Sequence, residues 1–227
     1  MTKLYIVATP IGNLEDISAR AIRILSEVDV ILCEDTRVTK KLLSRYSINT
    51  PTLSFHAHSK LSKTNKITAL LEEEKNLALV TDAGTPGISD PGSILVSHIR
   101  SKMPEVEIIT VPGPSAVVAA LSISGLPASE FLFLGFLPRK KGKETLFKIM
   151  AESKRTVVFY ESPHRISKTL TSLNDILGDD RKIIIARELT KIYEEVIDGT
   201  AQELLTYISE HKKKEKGEFV VIIEPKR

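Results

Sequence analysis

Apolar residues arrive in short, β-branched bursts through the first half of the chain: KLYIVA, DVILCE, NLALVTDA and VEIITV. Each burst is too continuously apolar for a strand with one wet face, so each predicts a central strand covered on both sides. Between the first two, the period lengthens to that of a helix. Ile17, Ala21, Ile24, Leu25 and Val28 fall on one helical face, with Asn13 as the candidate N-cap. KITALLEEE predicts another helix, with Ile67, Leu70 and Leu71 inward. Strand and helix alternating in this way predict a parallel sheet.

The second half is patterned differently. FLFLGFL, TVVFYES, KIIIARELT, YEEVIDGT and EFVVIIEP read as strands around two helices, HRISKTLTSLNDIL and AQELLTYISEHKK. ELTKIYEEVIDGT predicts a strand, a tight turn and an antiparallel return, so this half is expected to be a mixed α/β domain. VPGPSAVVAALSISG, residues 111–125, predicts a helix opened by a rigid turn. The boundary is placed there, giving an N-terminal domain 1–114 and a C-terminal domain 115–227.

Three segments rich in glycine and proline follow predicted strands of the first half: ATPIGN, DAGTPGISDPG and VPGPSA. Any one of them reads as a tight turn. Three together, beyond the carboxyl ends of strands in an open α/β sheet, predict a shared ligand crevice. The chain lacks GxGxxG with its distant acidic partner and lacks GxxxxGK[ST], so a ligand without phosphate is expected.

Composition narrows the class. With 227 residues, 42% hydrophobic, and a formal net charge of +3, the chain is ordinary globular material whose overall charge announces no nucleic-acid or membrane partner. Cys33 is the single cysteine, which excludes an intrachain disulfide, fits a reducing compartment, and reads as a small core residue in DVILCE. No window reaches the ~18 continuous apolar residues of a membrane span, and a cytoplasmic protein is expected. His56 and His58 have HxH spacing without a further ligand nearby in sequence, so no metal is expected. His164, after Pro163, reads equally as a helix-start residue or as one that orients a cleft.

LYIVATPIGNLEDIS, CEDTR, LVTDAGTPGISDPG, VPGPSAVVAALSISGLP, FLGFLPRK, YESPHRI, ARELTKIYEE and GEFVVIIEP occur in this order over nearly the whole chain. Together they resemble the bacterial 16S ribosomal RNA cytidine 2′-O-methyltransferase family, within the tetrapyrrole methylase superfamily. The resemblance implies two α/β domains forming a homodimer, with S-adenosyl-L-methionine folded in the cleft between them, and a ribose in the decoding centre of the small ribosomal subunit as substrate. It implies cofactor contacts at Ile11, at Gly84, Thr85 and Ile88, at Ser115 and Ala116, and at Tyr160 and Ala186. Many relatives in the superfamily carry GDP where this chain has Gly84, Thr85 and Pro86, and a hydrogen bond between the Thr85 hydroxyl and the cofactor is expected instead. The resemblance also implies a helical extension after GEFVVIIEP, where this chain ends at Arg227.

Methyl transfer to a ribose hydroxyl needs collinear positioning and help for a poor nucleophile. Asp35 and Arg37 in CEDTR and Glu161 in YESPHR are the candidates for that help; a salt-bridged loop and a strand-end cap are the equal alternatives. Arg139, Lys140, Lys141 and Lys143 lie on a glycine-containing loop that is expected to meet an RNA backbone, whereas HKKKEK, residues 211–216, reads as a solvated turn. Aromatic residues are only 5% of the chain with no tryptophan, so phosphate and shape contacts are expected to outweigh base stacking. Two rivals share the fold: a methylase of a small tetrapyrrole-like substrate, and a ribosome-associated binding module without turnover.

Overall fold

The computed structural model describes residues 1–56, 61–140 and 142–226, so His58 and Lys141 lie outside the described residues. The chain divides into two compact units, Met1–Ser115 and Ala116–Arg227.

The first unit is built on a five-stranded, wholly parallel sheet of β1 (Lys3–Val7), β2 (Val30–Cys33), β3 (Thr52–Ser54), β4 (Leu77–Leu79) and β5 (Glu107–Val111), in the order β3-β2-β4-β1-β5. Helices α1 (Ala19–Glu27), α2 (Thr36–Arg45), α3 (Leu61–Glu72) and α4 (Gly92–Lys102) connect these strands. The continuous apolar bursts have a direct cause. Alternate residues of one strand enter two separate cores: Val7, Ile31, Cys33, Ala78 and Val80 pack with α1 and α2, while Leu4, Leu32, Leu77 and Leu79 pack with α3 and α4. In β2 and β4 both faces are dry and no position is left for a polar residue, whereas β5, expected to be central, is the edge strand and exposes Glu107 and Thr110.

Local details depart from expectation at the element ends. Asn13 does cap, but it caps a single 3₁₀ turn, Leu14–Asp16, by accepting from the Glu15 amide; Ser18 is the N-cap of α1, accepting from Ala21. The edge strand β3 is only three half-buried residues, too short for its period to register in sequence. α2, α4 and α6 were not anticipated, because each begins inside a stretch read for its chemistry or its loop residues.

The second unit carries β6 (Phe131–Phe136), β7 (Thr156–Glu161), β8 (Ile183–Arg187), β9 (Glu195–Gly199) and β10 (Phe219–Ile223), in the order β6-β7-β10-β8-β9. Only β6 and β7 run parallel; β10 lies antiparallel to β7 and β8, and β8 and β9 form the expected antiparallel return. One face is covered by α6 (Lys143–Glu152), α7 (Ile166–Leu177) and α8 (Ala201–Glu210), whose residues Phe147, Met150, Leu170, Leu173, Leu204 and Ile208 pack on Phe159, Ile185 and Val221. α5 (Ala116–Ser124), the helix predicted after the PGP turn, packs against β10. α8 opens with a full capping box, in which Thr200 and Glu203 each satisfy the other's backbone amide. HKKKEK forms a 3₁₀ turn, Lys212–Glu215, but Lys214 is not simply solvated: its ammonium reaches Glu195 and the Tyr207 hydroxyl.

Candidate active site

The strand order places β4, β1 and β5 side by side, so the three glycine- and proline-rich segments leave the same edge of the first sheet. Backbone hydrogen bonds tie them together. Thr9 and Gly84 form an antiparallel bridge, Thr9 N–H to Gly84 O at 2.9 Å and Gly84 N–H to Thr9 O at 3.1 Å. The buried Thr9 hydroxyl donates to Thr81 O at 3.0 Å, and Ala8 N–H donates to Val111 O at 3.2 Å. Thr85 Oγ1 donates to Pro114 O at 3.1 Å, closing the contact between the second and third segments. The Thr85 proton is therefore used between loops; toward a ligand this hydroxyl can only accept.

The glycines here have specific reasons. Gly84 sits at φ +86°, a conformation other residues adopt with strain, and a side chain there would point at Ile11 Cγ2 and Pro114 O, 3.5 and 3.7 Å from its Cβ. Ile11, Gly84, Thr85 and Pro114 are thereby brought into one place, with Ser115 next in the chain. A Cβ on Gly113 would approach Ala8 Cβ to 3.0 Å, so the third segment passes the first more closely than any other residue allows. Farther along, Asp90 gathers the turn by accepting from the amides of Gly87 (2.8 and 2.9 Å) and Gly92 (2.7 Å). Ile88 is 47% exposed on that turn, an apolar side chain held out toward solvent.

The loops carry carboxylates and no lysine or arginine: across residues 8–13, 82–92 and 111–116 the ionisable groups are Asp82 and Asp90. Glu34 and Asp35 join them from the end of β2, where the Asp35 amide donates to Asp82 Oδ1 at 3.1 Å. Burial, followed by the charges of Asp90 and Asp82, raises the Glu34 carboxyl above its ordinary range. Asp82 is also raised, chiefly by burial. Asp35 goes the other way. Its side chain is gripped by the Arg37 guanidinium, Nε to Oδ1 at 3.0 Å and Nη2 to Oδ2 at 2.6 Å, and it accepts from the Arg37 amide at 2.8 Å as N-cap of α2. Those hydrogen bonds hold its carboxyl at about 2.

In the second unit Tyr160 and Ala186 lie on one row of the sheet. Val220 of β10 is in register with both, so the three share a face. Phe133 and Phe136 pack against the Tyr160 ring, with centroids at 5.1 and 5.3 Å. Burial raises the Tyr160 pKa, against a hydrogen bond from the Val117 amide at the start of α5. Ala116, the first residue of α5, is thus placed next to the residue that meets Tyr160.

Glu161 is fully buried and fully engaged: it accepts from Thr169 Oγ1 at 2.7 Å and from Ser162 N–H at 2.8 Å, and pairs with Arg165 Nε at 3.3 Å. Its expected catalytic part is not the one this geometry serves; a strand-end anchor is. Lys143 is not on the loop either, but opens α6. His164 is exposed in the turn before α7, and Cys33 is buried, with its thiol pushed up by burial. Among the described residues no group of three or more His, Cys, Asp or Glu is arranged to hold a metal ion, and no helix is long and apolar enough to cross a membrane. A surface depression of about 400 Å³, lined by Lys40, Leu43, Ile48 and Pro51 among others, shares no residue with these loops.

Asp82 and Glu34 escaped the sequence reading. Their signal is tertiary: the bond that joins Asp82 to Asp35 spans 47 residues.

Residues 3–205 match the family described as Tetrapyrrole (Corrin/Porphyrin) Methylases. The chain is 47% identical to a ribosomal RNA small subunit methyltransferase I from Thermotoga maritima over 100% of both chains. It is 48% identical to the protein of that name from Xylella fastidiosa, over 97% of this chain and 81% of the relative, and 44% identical to that from Escherichia coli O157:H7, over 98% and 77%. Among solved structures, a cobalt precorrin-4 methyltransferase of cobalamin biosynthesis superposes with a TM-score of 0.70 at 19% identity, covering 97% of this chain and 94% of that one. A uroporphyrin-III-C-methyltransferase from Thermus thermophilus gives 0.66 at 19%, covering 98% and 94%. At such identity these two establish the fold alone, which is the two-sheet α/β architecture expected. The chain belongs to the tetrapyrrole methylase family and, within it, to the ribosomal RNA small subunit methyltransferase I group.

Proposed function

We propose that the chain binds S-adenosyl-L-methionine on the three joined loops of the first unit and uses it to methylate the ribose 2′-hydroxyl of a cytidine in the decoding centre of the small-subunit ribosomal RNA. The observation that carries this reading is the convergence of Ile11, Gly84, Thr85 and Pro114 at the carboxyl ends of neighbouring parallel strands, on loops that carry carboxylates and no lysine or arginine of their own, the nearby Arg37 being paired with Asp35. Such a setting suits a ligand that is itself cationic and carries no phosphate. When bound, the cofactor supplies a methyl group already activated for transfer.

In this reading Ile11 and Ile88 provide apolar contact, and Gly84, Thr85 and Ser115 provide backbone groups and an acceptor hydroxyl. Cofactor contacts at Ala116, Tyr160 and Ala186 belong to the same proposal. The acceptor hydroxyl must lose a proton. Asp35, held at about 2, is a weak base. Glu161 has no oxygen to spare. Asp82 and Glu34, both raised by burial, are better matched to that task, and Arg37 serves by fixing Asp35.

The identity of 43–48% with relatives named for ribosomal RNA favours an RNA substrate over a small tetrapyrrole. A cytoplasmic homodimer belongs to the same proposal; sedimentation of the purified chain tests the dimer. Calorimetric titration with S-adenosyl-L-methionine tests the enzyme: saturable binding is expected, and absence of binding overturns both methylase readings and leaves the ribosome-binding module.

A further inference from the structure

The parallel strands β6 and β7 each run into a helix, and those helices, α6 and α7, pack on one another. Their N-terminal turns therefore open at the same end of the second sheet. Lys143 is the first residue of α6, Arg165 precedes α7, and Lys168 stands in its first turn. The Lys143 ammonium lies 5.0 Å from the Phe147 ring centre, and its pKa is lowered by burial and then by the charges of Lys168 and Arg165, so the three cations lie within one another's field. Arg139 and Lys140 are exposed on the turn just before.

A helix N-terminus is the wrong end for a cation, because its free amides already present positive charge. Lys143 and Lys168 both occupy that end. None of Arg139, Lys140, Lys143 and Lys168 has an ion-pair partner among the described residues; Lys148, Lys154, Lys212, Lys213 and Lys216 of the same unit likewise have none, so what sets the four apart is their grouping at the N-terminal ends of two packed helices. Glu144, in the first turn of α6, is the nearby acid in sequence and makes no ion pair with any described residue. A cluster of cations that breaks a local rule without internal compensation points to an external anion.

The cluster is also braced. Arg165 Nη2 donates to Leu137 O at 2.7 Å, at the exit of β6, while its Nε pairs with the buried Glu161 at the end of β7. Glu161 is in turn fixed by Thr169 and by the Ser162 amide.

We propose that Arg139, Lys140, Lys143 and Lys168 form one phosphate-binding surface for folded RNA, and that Arg165, fixed by Glu161 and by the Leu137 carbonyl, is the positioning residue that holds its two halves in register. The proposal rests on the RNA-substrate reading above and adds Lys168, the strut and a reason for burying Glu161.

The test measures binding of the full chain to unmethylated small ribosomal subunits across a salt series. Lys168→Ala, at an exposed position, should lower the salt slope by about 0.7–0.9, equivalent to about a five- to eightfold loss of affinity at 0.1 M salt for one contact, while leaving S-adenosyl-L-methionine affinity unchanged. Glu161→Gln and, should it fail to fold, Arg165→Ala should raise KM for subunits severalfold with kcat little changed, the mark of a positioning role. An unchanged slope for Lys168→Ala overturns the surface, and a fall in kcat alone for the strut variants overturns the strut. Wild-type chain that binds with this slope yet transfers no methyl group would instead defeat the methyltransferase reading and leave the surface standing.

Discussion

The carboxyl ends of the two sheets have opposite chemistries. In the first unit, loops after three adjacent parallel strands are knitted by backbone hydrogen bonds, populated by glycine and proline, and provided only with carboxylates. In the second, the ends of β6 and β7 carry unpaired cations braced by one buried carboxylate. On the function proposed above, the same device, a parallel strand delivering a loop into a helix, serves as a cradle for a small cationic ligand in one place and as a surface for a polyanion in the other. What differs is whether the ligand is met by backbone or by long side chains.

Glycines at the same backbone angle give the strongest way to break this comparison. Gly84 at φ +86° and Gly142 at φ +84° would both be strained by a side chain, at a cost of about 1–2 kcal/mol of stability. Gly142 has nothing within 4 Å of its Cβ, whereas Gly84 faces Ile11 and Pro114. Gly84→Leu should therefore lose S-adenosyl-L-methionine binding by more than about a hundredfold, nearly 3 kcal/mol, in calorimetry. Gly142→Leu should lower the melting temperature similarly and leave that binding intact. Equal cofactor affinity in the two variants would mean that the first-unit loops are not the cradle.

Proton transfer should sharpen the contrast between carboxylates. Asp82→Asn is expected to reduce single-turnover methylation by about 10²–10³-fold with little change in cofactor affinity, while Asp35→Asn costs much less. Because the Asp82 pKa is raised in the folded chain, the activity it supports should rise with pH through a value above 3.8, the ordinary one. A full rate in Asp82→Asn would return the role to Glu34 or to positioning alone.

The smallest effect concerns Asp35 as a structural group. Asn caps a helix about as well as Asp, so Asp35→Asn isolates the charge. The folded pKa, about 2, lies below the ordinary 3.8, so the charge contributes stability above pH 3.8 that is lost as pH falls toward 2. Wild type should melt slightly higher than Asp35→Asn at pH 6, and the gap should close between pH 4 and pH 2. A gap that persists at pH 2 would show that the Arg37 pairing is not its source.

Much of this was legible in sequence for one reason: strands buried on both faces leave uninterrupted apolar runs, and strands that end in the converging loops leave glycine and proline directly after them. The convergence of ATPIGN, DAGTPGISDPG and VPGPSA could be inferred because neighbouring parallel strands put their carboxyl ends together. Other features were hidden. Thr39, Leu42 and Leu43 do give α2 a helical face, but CEDTR just before it drew a loop reading. The raised carboxyls of Glu34 and Asp82 depend on groups far apart in the chain. Sequence leaves Glu161 open between a catalytic carboxylate and a strand-end cap, and only packing shows that Thr169, one turn into α7, already holds it.

The most direct test of the central claim is to incubate the chain with unmethylated small ribosomal subunits and S-adenosyl-L-methionine bearing an isotopically labelled methyl group, then to digest the RNA to nucleosides and locate the label by mass spectrometry. The account predicts label on the ribose of a cytidine from the decoding centre, present with wild type and absent with Gly84→Leu. Label on a base, or no label in the RNA at all while the cofactor binds normally, would contradict it.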